Sequence, residues 1–111
     1  MSLHHVTSGE VFTFHPLKET LEETISHALF KSSSLEVIRM VLRQGRSVPE
    51  HHVGGELTMQ CLEGAVQLTA HGRTQTLHAG EMLYLEGSVP YSLQAVENCS
   101  LLLTIVLKRD D

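Results

Sequence analysis

The stretch that decides the fold is Gly45–Gly64, GRSVPEHHVGGELTMQCLEG. His51 stands six positions after Gly45, and His52 follows it directly. Then come the Gly54-Gly55 pair, the carboxylate Glu56, an alternating run and the closing Gly64. In an extended run Leu57, Met59 and Cys61 share one face, while Thr58, Gln60 and Leu62 share the other. Glycines at both ends mark places where the backbone turns, because glycine alone enters the left-handed region without steric cost.

Outward from this segment the chain reads as strand after strand. Upstream, Val11 to Phe14 alternates and predicts an N-terminal strand. Pro16 to Thr24 repeats Leu17, Leu21 and Ile25 every four residues, with Thr20 and Glu23 spaced as a capping box. That segment fits either a short helix or a charged loop. Strands are expected at His27 to Lys31 and at Leu35 to Leu42, separated by Ser32-Ser33-Ser34. Downstream, Leu57 to Leu62, Ala65 to Ala70, Arg73 to Leu77, Met82 to Leu85, Tyr91 to Val96 and Leu101 to Leu107 read as strands. His71-Gly72 forms a tight hairpin between two of them. Many short strands with turns at regular intervals indicate an all-β sandwich or barrel. The terminal KRDD is expected in solvent.

Composition bounds the rest. The 111 residues make one domain, with 41% hydrophobic residues and no Trp. A net charge of −5 without a basic stripe argues against nucleic acid or an anionic membrane as partner. No apolar run approaches the roughly 20 residues that span a bilayer. The opening MSLHHVTSGE lacks the apolar core of a secretory leader, so a cytoplasmic location is expected. Cys61 and Cys99 each sit inside an apolar run and read as buried free thiols. No nucleophile elbow, phosphate loop or Cys/His pairing is present.

The order of turns and strands resembles that of the cupins, whose pattern is G-x5-H-x-H-x3,4-E-x6-G followed by G-x5-P-x-G-x2-H-x3-N. Gly45, His51 and Gly64 match the first motif. The second begins at Gly80 and places Tyr91 at the histidine position. The run from His52 to Gly64 is also similar to the "H-x-x-G-x-I-T-x-Q-x-L-x-G" consensus of small single-domain, RmlC-like cupins. The resemblance implies an all-β double-stranded β-helix, or jelly-roll, barrel over about residues 24–108. Residues 1–23 are then an N-terminal extension that packs on the barrel or swaps to a neighbour.

The same resemblance implies three histidines and a glutamate around a divalent transition metal: Fe, Mn, Ni, Cu or Zn. Here the motifs depart from it. With His51 as the first histidine, Val53 occupies the second position and Leu57 the glutamate. Sliding by one residue lets His52 and Glu56 serve, at the cost of a bulge that Gly54-Gly55 could supply. The ungapped register keeps both outer glycines and the inward alternation. In the second motif Glu86, Ser88, Tyr91 and Ala95 replace proline, glycine, histidine and asparagine.

The candidate ligand pocket is therefore His51, His52, Met59, Gln60, Tyr91 and Tyr84, with His51, His52 and Glu56 as the candidate metal set. Either a metal or none is compatible with so thin a ligand set. Adjacent residues of an extended chain point to opposite sides, so one of His51 and His52 at most faces the pocket. Each candidate also has an ordinary structural role: Gln60 at an interface, Glu56 at a solvated turn, Met59 in the core. The expected function is small-molecule binding in the barrel. The alternative is a metal-dependent dioxygenase or isomerase acting on a small polar substrate. Apolar residues on both faces of Leu35 to Leu42 and Leu101 to Leu107 predict a homodimer.

Overall fold

The computed structural model describes residues 5–13, 15–23 and 26–107. Among these, a 3₁₀ helix at Lys18–Glu23 precedes nine strands. They are β1 His27–Lys31, β2 Leu35–Leu42, β3 Ser47–His51, β4 Leu57–Glu63, β5 Ala65–Ala70, β6 Arg73–His78, β7 Met82–Leu85, β8 Tyr91–Ala95 and β9 Cys99–Val106. Two antiparallel sheets result, ordered β1-β2-β9-β4-β7 and β3-β8-β5-β6. Their apolar faces pack on one another as a jelly-roll barrel.

Alternation places the core. Leu57, Met59 and Cys61 of β4, Leu101, Leu103 and Ile105 of β9, and Leu93 and Ala95 of β8 are buried between the sheets. Each fully buried Leu or Met contributes about 1.5–3 kcal/mol relative to exposure. Their sequence neighbours turn outward, so one register assigns both faces. The hairpin at His71-Gly72 joins β5 to β6, with φ of 53° and 73°. Positive φ at both central residues is the type I′ geometry, whose twist matches that of the strands. Cys61 and Cys99 are both buried and free, as expected.

The N-terminal extension differs from its expectation. Val11–Thr13 has no regular secondary structure, and Phe14 lies outside the described residues. The Val6 amide donates to the Leu29 carbonyl of β1 at 2.8 Å, and side chains on the outer face of the five-stranded sheet hold the rest of the extension. Glu63 accepts from the Leu17 amide at 2.8 and 3.0 Å and from the Lys18 amide at 3.2 Å. Ser100 donates to the same carboxylate at 3.3 Å. The buried Arg39 donates to the His15 carbonyl at 3.0 Å. Burial lowers the Arg39 pKa, and the charge of Glu63 works against that. Leu21 is buried beneath the helix.

The helix begins at Lys18, so Thr20 is not its cap. Thr20 lies inside it and donates its hydroxyl to the Leu17 carbonyl at 2.7 Å. Thr24, Ile25 and the terminal KRDD lie outside the described residues. Among the described residues no helix is long and apolar enough to cross a membrane.

Candidate functional site

One end of the barrel gathers most of the residues singled out in the sequence. β3 forms the edge of the four-stranded sheet and pairs with β8. A bulge between Val48 and His51 brings His51 opposite Tyr91. The two rings meet with centroids 4.6 Å apart and planes tilted by 51°. His51 Nδ1 lies 3.1 Å from the Pro49 carbonyl, to which the Nδ1–H tautomer donates. Tyr91 is 1% exposed. Burial pushes its phenol pKa up, because the phenolate loses its hydration there.

Val53 and Leu57 stand where the ungapped motif would place the second histidine and the glutamate. Leu57 is buried in the core cluster, and Val53 packs against it from a half-buried position. Tyr91, at the histidine position of the second motif, belongs to the same cluster. The positions that would ligate a metal thus carry packed side chains that add to the core.

The carboxylate lies elsewhere. Glu56 is exposed and accepts a short hydrogen bond from the Tyr84 hydroxyl of β7. This bond is the main reason the Tyr84 phenol is held above its ordinary pKa, since removing its proton would set two anions together.

Glycines draw two loops together here. A Cβ at Gly55 would stand 1.8 Å from the Val106 carbonyl oxygen, and one at Gly87 would stand 2.6 Å from that of Gly54. The Ser88 amide donates to the Val53 carbonyl at 2.8 Å, with Ser88 itself at φ 66°. Gly55 and Gly87 therefore serve close backbone approach, and Gly55 does so without a positive φ. Between the loops lies an open cleft of about 400 Å³, lined by Gly54, Gly55, Glu56, Glu86, Gly87, Ser88 and Val106.

The candidates therefore fall into separate groups. His51 meets Tyr91, and Glu56 meets Tyr84. His52 is exposed. Met59 points into the core, whereas Gln60 lies on the opposite face of β4, across from Met82 and Leu102. Among the described residues no group of three His, Cys, Asp or Glu side chains is placed to hold a metal ion. The donor set does not fit a resident transition metal.

Sequence reasoning did not find Ser88, Gly87 and the Val106 backbone as parts of a cleft. The approach of Gly87 to Gly54 depends on pairing across the barrel.

Solved structures place the architecture. The chain superimposes on a cupin superfamily protein from Desulfitobacterium hafniense with a TM-score of 0.73 at 18% identity, covering 76% of this chain and 77% of that one. The fold is that of a small cupin. A conserved protein of unknown function from Streptococcus pyogenes matches with a TM-score of 0.77 at 21% identity, over 99% of this chain and 100% of that chain. Part of a salicylate 1,2-dioxygenase variant from Pseudoaminobacter salicylatoxidans also matches, with a TM-score of 0.61 at 30% identity. That likeness covers 66% of this chain and 21% of the dioxygenase chain. No protein-family model matches the chain, and no curated protein does.

Proposed function

We propose that this cupin binds a small polar molecule in the cleft between residues 54–56 and 86–88, without a resident metal. The observation that carries this reading is the cleft itself. Its volume of about 400 Å³ falls within the roughly 300–1,000 Å³ usual for small-molecule sites. It offers the carboxylates of Glu56 and Glu86 and the Ser88 hydroxyl, with Tyr84 bonded to Glu56 beside it. Two acceptor-only carboxylates without a lining cation suit a ligand rich in donors, a primary amine above all.

Calorimetric titration with putrescine, ethanolamine and histamine, against 1,4-butanediol and succinate, tests the reading. At least one amine should bind, and the Glu56→Gln/Glu86→Gln variant should lose that heat. Amine binding that survives in the double variant, or no amine binding at all, would remove this assignment.

The second reading is a metal-dependent dioxygenase or isomerase, supported by the fold it shares with part of a dioxygenase. It requires His51, His52 and Glu56 to converge. Stoichiometric transition metal in the purified protein, lost from a His51→Ala/His52→Ala variant, would establish it over the first.

A homodimer accompanies either reading. Val37, Thr104, Thr58 and Tyr84 form one row across the outer face of the five-stranded sheet, and Arg39, Leu102, Gln60 and Met82 form the next. Met82 is 65% and Tyr84 55% exposed, and Leu35 and Val106 extend the apolar area. Sedimentation at micromolar concentration should give a dimer that Met82→Glu weakens. A monomeric wild type would refute it. Two free buried thiols accord with a reducing, cytoplasmic location.

A further inference from the structure

The outer face of the four-stranded sheet holds a separate groove of about 350 Å³. Its walls come from all four strands. Ser47, Gln94 and Gln67 form one cross-strand row, and Ser92, Thr69 and Thr74 form the next. Leu68 and Leu93, which alternate with these residues, are buried in the core. The groove is thus a direct product of the register that builds the barrel.

Its chemistry is distinctive in three ways. First, no lining residue has an ionisable side chain, in a chain of net charge −5. Second, much of its hydrogen-bonding capacity is not used internally. The Thr69 and Thr74 hydroxyls bond each other at 2.8 Å. Gln67 and Gln94 are cross-strand partners, yet their amides make no hydrogen bond to each other or to another described residue. The Ser47 and Ser92 hydroxyls likewise bond no described residue. Third, Pro49 adds an apolar ring on β3, while Val48, opposite Leu93, packs against the core.

A charged ligand would find no counter-charge in this groove. An apolar ligand would strip water from two amides and several hydroxyls and leave them unsatisfied. Vicinal hydroxyls replace that water both as donors and as acceptors, and each primary amide can engage two of them. The C–H face of a sugar ring has the Pro49 ring to pack on. The volume lies within the usual range of about 300–1,000 Å³ for a small-molecule site.

We propose that this groove binds a neutral saccharide, at a site independent of the cleft. The test is a ¹⁵N–¹H spectrum of the full chain titrated with glucose, galactose, maltotriose and cellotriose to about 10 mM, which covers millimolar affinities. At least one sugar should move the side-chain amide peaks of Gln67 and Gln94 and the backbone peaks of Thr69 and Ser92. The Gln67→Ala/Gln94→Ala variant, with its fold verified by the same spectrum, should bind that sugar at least tenfold more weakly. Glucuronate should bind no better than glucose. The Glu56→Gln/Glu86→Gln variant should respond as wild type does, which separates the groove from the cleft.

The proposal is overturned if none of the four sugars moves those peaks, or if the glutamine variant binds unchanged. Peaks that move with protein concentration alone would overturn it too, since a second copy would then occupy the face.

Discussion

Replacing Gly64 with alanine should damage this barrel far more than the same change at Gly45, although the two residues share a backbone conformation. Their φ angles are 79° and 84°. That conformation costs a residue with a Cβ about 1–2 kcal/mol. At Gly45 the added methyl meets nothing within 4 Å, so the conformational cost is the whole cost. At Gly64 the methyl would stand 2.1 Å from the Asn98 carbonyl oxygen and 2.8 Å from both Cα and Cβ of Cys99. Two of those atoms are backbone, so relief requires moving the start of β9. Such overpacking adds about 1–3 kcal/mol. The total for Gly64→Ala is then about 2–5 kcal/mol, against a native stability of about 5–15 kcal/mol for a typical domain. Urea unfolding with a slope of about 1–3 kcal/mol per molar would show this as a midpoint lowered by about 1 M or more. Equal losses in the two variants, or a loss below about 1 kcal/mol at Gly64, would refute the steric argument.

Three further outcomes follow from the packing. Tyr91→Ala should cost about 3–5 kcal/mol as a large core truncation, whereas Tyr91→Phe should keep nearly full stability; equal losses in urea melts would count against a packing role. Glu63→Ala should release the N-terminal extension, with limited proteolysis cutting between residues 15 and 23 and a loss of about 1–3 kcal/mol from the unsatisfied groups; unchanged protease resistance would exclude the anchor. Burial pushes the Cys99 thiol up to about 12 and the Cys61 thiol upward as well. Unfolded thiols lose their protons from about pH 8.5, while the native state keeps them, so stability should fall as pH rises from there toward about 12. In Cys99→Ala that slope should be shallower, and an unchanged slope would dismiss the thiol as its source.

Most of the barrel was legible because alternation and turn residues agreed. β1, β2, β5 and β7 have the bounds that the sequence predicts, and β4, β6 and β8 differ by one residue at one end. β9 starts two residues earlier than expected. β3 escaped notice because SVPEH has no apolar alternation and contains a proline, which excludes it from a central strand. The structure puts it on an edge with Pro49 in a bulge, where a missing amide hydrogen is tolerated. The inward parity of Tyr91 was readable from Leu93 and Ala95. The bond between Glu56 and Tyr84 was not, since 28 residues separate them and only the pairing of β4 with β7 makes them neighbours. The Arg39, Glu63 and Ser100 network was hidden for the same reason.

The position of β9 has a consequence for how the chain reaches its fold. This strand comes last of the nine, yet it lies at the centre of its sheet, between β2 and β4. Its partner Leu35 is 71 positions away from Val106 along the chain. Until β9 docks, β2 and β4 each keep an open ladder edge able to recruit strands from other chains. Folding must therefore bear a long loop closure before its central contacts form, which places this small domain among the slower folders. The interval before closure is when the chain is most prone to aggregate, and faster docking of β9 should shorten it.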